Sequence, residues 1–171
     1  TTSNNFVKKV LIEDYTGHTC PNCPDAARQL ESIQDFYGDK VIGIAIHIGK
    51  AFAMPYPSSQ SPKFQYEFRT KWGEEYDNFF GIMAVGLPRG MINRTEWPND
   101  YRLGKDNWSE RVISELEKDP EFGININPDV NGNSGTIDVS VEVLTNISGT
   151  YNIVVCLTES KIINWQKDGS S

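Results

Sequence analysis

The stretch that decides the fold is His18-Thr19-Cys20-Pro21-Asn22-Cys23-Pro24. It stands between an apolar run, Val10-Leu11-Ile12-Glu13-Asp14-Tyr15, and an amphipathic pattern from Asp25 to Tyr37. Two cysteines three apart at the start of a helix lie on one face, within bonding reach of each other. The helix N-terminus also favours the thiolate form of the first cysteine. A dithiol/disulfide centre needs both properties. The same spacing also serves metal binding or a plain structural disulfide.

Outward from the pair, residues 6–15 read as a strand with apolar residues on both faces, as in a sheet covered on both sides. Gly17 ends it. The helix that follows carries Cys23, Ala27, Leu30, Ile33 and Tyr37 at helical spacing, with Pro21 and Pro24 in its first turn and Gly38 as its stop. The run Val41 to Ile48 reads as a buried parallel strand. Strand, helix and strand make a right-handed βαβ unit whose strand C-termini share one sheet edge. That places His47 near the edge that carries Cys20.

Residues 49–62 read as a loop. A second helix is expected over 63–80, because Phe64, Phe68, Trp72, Tyr76, Phe79 and Phe80 recur every three or four residues; the stripe serves helix packing or a peptide surface beside the dithiol. Residues 81–93 turn into another strand, with a short companion strand at 101–103. A helix starting at Lys105 or Asp106 carries Trp108, Val112, Ile113 and Leu116. Beyond Pro120 period-two runs joined by Asn, Gly and Ser turns read as antiparallel strands, at 124–126, 137–143 and 151–157. The expected division is a domain over 1–120 and a β-rich segment over 121–171. That segment is too short for a closed sandwich, so its strands form part of a β domain, complete the first domain, or pair with a second copy.

The 171-residue chain is 38% hydrophobic and 23% charged, as in an ordinary globular protein. Its net charge of −7, with no basic cluster, argues against nucleic acid or an anionic membrane surface as partner. No apolar run spans a bilayer. The three cysteines, Cys20, Cys23 and Cys156, suit one functional pair plus a buried, inert thiol. Neither a resident metal nor an organic cofactor is expected. The polar start Thr1-Thr2-Ser3-Asn4-Asn5 is compatible with a processed end.

Val10 to Tyr15 followed by Cys20-Pro21-Asn22-Cys23 resembles the thioredoxin superfamily. Phe80-Gly81-Ile82 followed by Gly86-Leu87-Pro88 is similar to that superfamily's cis-proline loop, with two extra residues between the halves. Within the superfamily, the stretch from Glu13 to Pro24 and the Ile46-His47 strand end are most similar to a Gram-negative envelope family named for a 28-kDa outer-membrane protein. The resemblance implies a thioredoxin-like α/β fold, a central mixed sheet flanked by helices, followed by β-rich sequence. It also implies a periplasmic or outer-membrane location, a lipid anchor on a removed N-terminus, and protein or peptide thiols and disulfides as partners.

By position, the resemblance makes Cys20 the attacking thiol, Cys23 the resolving thiol, Asp14 the buried acid that moves protons for it, and Pro88 the cis-proline facing the pair. Leu87 and Arg89 fall at the substrate-binding positions beside it, and Glu13 replaces Asp14 if the register differs. His18 and His47 are candidates for tuning or acid–base roles. Thr19 stands where thioredoxins carry Trp, and Pro21-Asn22 replaces Gly-Pro, so redox potential and substrate range do not follow from the family. Three functions compete: a thiol–disulfide oxidoreductase, a metal module with His18, Cys20, Cys23 and His47 as ligands, and a binding protein with a structural disulfide.

Overall fold

The computed structural model describes residues 6–169; the polar start Thr1–Asn5 lies outside them. The chain is α/β. A small mixed sheet has the order β2-β1-β3, and a separate two-stranded antiparallel sheet, β4-β5, follows it. Strand β1 (Val10–Thr16) runs parallel to β2 (Val41–His47) and antiparallel to β3 (Arg89–Ile92). Helix α1 (Cys23–Tyr37) connects β1 to β2. A four-residue helix α2 (Lys50–Ala53), helix α3 (Lys71–Phe80) and helix α4 (Trp108–Leu116) complete this unit.

Strand β1 is central, and side chains alternate across it. Val10 and Ile12 face a cluster with Ala26, Leu30 and Ile33 of α1 and with Trp108 and Val112 of α4. Tyr15 faces the opposite cluster, with Phe80 of α3, Ile82, Met91 and Tyr101. The sheet is therefore covered on both faces, as the two-sided apolar pattern of the first strand predicts. Burying Trp108, Ile12 or Ile48 completely stabilises the fold by ~1.5–3 kcal/mol each before entropy is counted. Two buried hydrogen bonds tie the clusters: Trp108 Nε1–H donates to the Leu103 carbonyl (3.2 Å), and the Tyr101 hydroxyl to the Phe80 carbonyl (2.6 Å).

Several elements differ from their sequence reading. The Val41–His47 run is an edge strand, paired with β1 alone, and of its residues only Val41 is buried. Its apolar continuity reflects β propensity and partial cover by α1, whose Leu30 lies against Gly43 so closely that a Cβ there would stand 2.8 Å from a Leu30 methyl. In α1 the inward residue is Ala26, and Ala27 is exposed. The second helix starts at Lys71 and not at Lys63: Thr70 caps it, its hydroxyl accepting the Gly73 N–H (3.0 Å). Phe64 and Phe68 thus fall in irregular chain, with Phe64 at φ 62°. The companion strand at 101–103 is a single bridge, in which Gly90 and Leu103 exchange both backbone hydrogen bonds (2.8 and 2.9 Å).

The C-terminal segment holds one hairpin, β4 (Phe122–Asn131) and β5 (Ser134–Val143). Gly132 takes φ 62° at the first position of its two-residue turn, where a type II′ turn places Gly. Residues 151–157 form no strand. Cys156, expected to be buried, is exposed for the same reason. No helix among the described residues is long and apolar enough to cross a membrane.

Candidate functional site

The C-terminal end of β1 delivers the chain into the cysteine loop. Gly17 is required there, because a Cβ would collide with the Phe52 carbonyl of α2. That carbonyl accepts the Thr19 N–H (2.9 Å), and the Cys20 N–H returns to the Gly17 carbonyl (3.0 Å). Helix α1 then begins at Cys23, with Pro24 in its first turn, where no amide donor is needed. Pro21 lies one residue before the N-cap, Asn22, and so outside the helix. The result holds Cys20 and Cys23 at disulfide distance, Cα to Cα 5.4 Å, both 1% exposed.

Behind the pair is a cavity of about 180 Å³ lined by Asp14, Thr16, Cys23, Ala27, His47 and Gln166, among others. Asp14 is 2% exposed, and its Oδ1 finds no hydrogen-bond partner among the described residues. Burial disfavours the charged carboxylate and pushes its pKa up to about 7. An acid that titrates near neutrality shares a cavity with the second cysteine, so it can hold or accept a proton there.

Glu13 is on the other face of the sheet. Its carboxylate is 1% exposed and takes both Arg94 donors, Nε at 2.8 Å and Nη2 at 2.6 Å. Arg94 in turn covers the rings of Tyr76 and Phe80 at 4.6 and 5.0 Å. Glu13 therefore ties α3 to the sheet and does not reach the cysteines.

The histidines sit together. The rings of His18 and His47 are 6.2 Å apart; Phe68 stacks on His47 at 4.9 Å and meets His18 edge-on at 5.4 Å. His18 Nε2 lies 3.4 Å from the Phe64 carbonyl, and its Nδ1 is buried without a partner among the described residues. Burial, reinforced by His18, lowers the His47 pKa to about 4, and burial lowers that of His18 as well. Both shifts favour the neutral ring, which supplies no cation to Cys20. Among the described residues no group of three or more His, Cys, Asp or Glu side chains converges as a metal site. The four ligands of the metal reading are thus not assembled as a set.

The Leu87–Pro88 peptide is cis. Strand β3 begins at the next residue, and Arg89 pairs with Tyr15, which brings Pro88 to the same sheet edge as Thr16 and the cysteine loop. Leu87 packs against the Tyr15 and Phe80 cluster. The Arg89 guanidinium folds back on its own loop, donating to the carbonyls of Val85 (3.0 Å) and Pro88 (3.1 Å).

Four residues of the site escaped sequence reasoning. Phe64 and Phe68 were assigned to a helix face. Nothing in the sequence pattern marks Arg28, whose guanidinium lies 3.5 Å from the Asp168 carboxylate. Gln166 is 146 residues from Cys20, and its side-chain amide nevertheless donates to the Gly17 and Cys20 carbonyls, each at 3.2 Å. No local pattern marks a polar residue in an irregular tail as a site residue.

No family model matches the chain, and no curated protein matches it. Among solved structures, the chain is similar to the X-ray structure of an Agrobacterium tumefaciens protein from a structural-genomics programme, with 18% identity and a TM-score of 0.49. The match covers 71% of this chain and 52% of that one, so the chain spans about half of that protein's length.

Proposed function

We propose that the chain is a thiol–disulfide oxidoreductase on a thioredoxin-like scaffold, related to the Gram-negative envelope family that its sequence resembles and acting there on protein or peptide thiols and disulfides. The observation that carries this reading is the placement of Asp14, titrating near 7, in one cavity with Cys23 behind a helix-terminal cysteine pair. The strand order β2-β1-β3, with helix α1 crossing between parallel strands and β3 antiparallel, supports the scaffold.

Exchange begins when a substrate thiolate attacks Cys20 Sγ. The Cys20–Cys23 bond breaks, and Cys23 Sγ leaves with the electron pair and takes a proton from Asp14. A second substrate thiolate then attacks the substrate sulfur of the mixed disulfide, and Cys20 leaves as a thiolate. The substrate dithiol has become a disulfide and the protein disulfide a dithiol; the reverse reaction uses the same steps. Titration against glutathione is expected to show a reversible change of two thiols, and insulin-disulfide reduction is expected to vanish in Cys20→Ser. A protein that shows neither is not an oxidoreductase.

The near-complete burial of both sulfurs favours a second reading, a binding protein with a structural disulfide. That reading expects a pair that stays oxidised across the whole glutathione range.

A further inference from the structure

The last described stretch of the chain, 165–169, has no strand or helix of its own, yet it lies against the cysteine loop with a regular set of contacts. The Lys167 N–H donates to the His18 carbonyl (2.8 Å), and two residues on the Gly169 N–H donates to the Pro21 carbonyl (2.9 Å). The Gln166 amide reaches between them to the Gly17 and Cys20 carbonyls and lines the cavity that holds Asp14 and Cys23. The Asp168 carboxylate lies 3.5 Å from Arg28, which also pairs with Asp25 on α1. A Cβ on Gly169 would stand 3.1 Å from the Pro21 carbonyl, so a glycine suits this close approach. The Lys63 ammonium lies over the Trp165 ring, 4.0 Å from its centroid.

Donors at alternate residues facing a row of carbonyls are how an extended peptide is read by main chain, with side-chain contacts adding selectivity. We propose that the cysteine loop is a peptide-binding site whose ligand is an extended segment with a side-chain amide, a carboxylate two residues later and then glycine. The chain's own Gln166-Lys167-Asp168-Gly169 occupies it as a removable cover over the disulfide. The loop presents four carbonyls, from Gly17, His18, Cys20 and Pro21, and the ligand brings the complementary donors. Arg28 reads the carboxylate, and the Pro21 backbone crowds a side chain at the last position. Cys20 becomes accessible when the cover lifts, and its reactivity is set by that local opening equilibrium. The proposal stands on these contacts whether or not the pair exchanges with other proteins.

The test uses the full oxidised chain and a chemical reductant, dithiothreitol, which reduces an accessible disulfide of either function. Two variants loosen the cover: Gln166→Ala combined with Asp168→Ala, and Lys167→Pro, which deletes one main-chain donor. Each removes hydrogen bonds of modest net value, so reduction of the Cys20–Cys23 bond is expected to accelerate on the order of tenfold. A synthetic peptide of the sequence 165–169, added to the double variant, is expected to slow reduction again, while a scrambled peptide is not. In the unsubstituted chain the amides of Lys167 and Gly169 are expected to exchange with deuterium more slowly than those of residues 163 and 164. Unchanged reduction rates in both variants, a peptide without effect, or amides exchanging like free coil would each overturn the proposal. None of these outcomes bears on the glutathione titration, so the two readings fail separately.

Discussion

Asp14 shows how one side chain couples stability to chemistry. Its folded pKa, about 7, lies above its ordinary value of 3.8. The folded state therefore binds more protons than the unfolded state between those limits. The stability that goes with protonated Asp14 is fully present below pH 4 and lost as pH rises through 7. A shift of that size corresponds to about 4 kcal/mol. His47 acts with the opposite sign: its folded pKa of about 4 lies below 6.5, so its contribution is present above pH 6.5 and lost as pH falls toward 4. In Asp14→Asn the alkaline loss disappears and the histidine loss is left alone. Urea unfolding should find this variant more stable than the parent at pH 8 by a few kcal/mol, with the gain shrinking steadily toward pH 4. Its exchange activity should fall, because the proton held beside Cys23 is gone.

Among the elements, β3 and α4 meet with no space for a side chain between them. Gly90 pairs with Asp14 on one side and Leu103 on the other, and a Cβ on it would enter the Trp108 indole, which is fully buried. Neither the ring nor the strand has room to move, so Gly90→Ala should cost about 3 kcal/mol, read as a lowered denaturant midpoint with an unchanged slope. The helices were legible where a cap or breaker agreed with the periodicity: α1 and α4 came within two or three residues of their observed bounds. The helix expected from Lys63 failed because aromatic spacing alone carried it. Phe64 and Phe68 keep that spacing but serve His18 and His47 in irregular chain, and the Thr70 cap starts the helix later. Similarly, an unbroken apolar run at 41–48 reads as a buried strand, though residue types alone do not tell which strands are covered and paired on both sides.

For the whole molecule, the β-rich segment behaves differently from the α/β unit. Its hairpin leaves Ile124, Ile126, Val130 and Val143 more than half exposed, and Tyr151, Ile153 and Leu157 are exposed beyond it. The period-two pattern correctly marked β4 and β5, and it marked 151–157 equally well, where no strand forms. An alternating pattern supplies an amphipathic face but not a partner for its backbone. One consequence is chemical: Cys156 lies on the surface while Cys20 and Cys23 are joined. A thiol assay on the native, unreduced protein should therefore find one equivalent reacting, and Cys156→Ser should find none. Two or three equivalents would mean that the pair is open.

What the sequence determined by itself was local: a cysteine pair at a helix start, the strand before it with apolar residues on both faces, and the period-two pattern of the hairpin strands. Each rests on chain stereochemistry over a few residues, which the amino-acid types impose directly. The tertiary structure decided which groups share a space. It sent Asp14 into the cavity with Cys23 and Glu13 to Arg94 on the far face, although the two are neighbours in sequence. It also folded Gln166 and Asp168 back onto a loop 146 residues away. These outcomes depend on strand pairing and on where an irregular segment comes to rest, and no local periodicity encodes either.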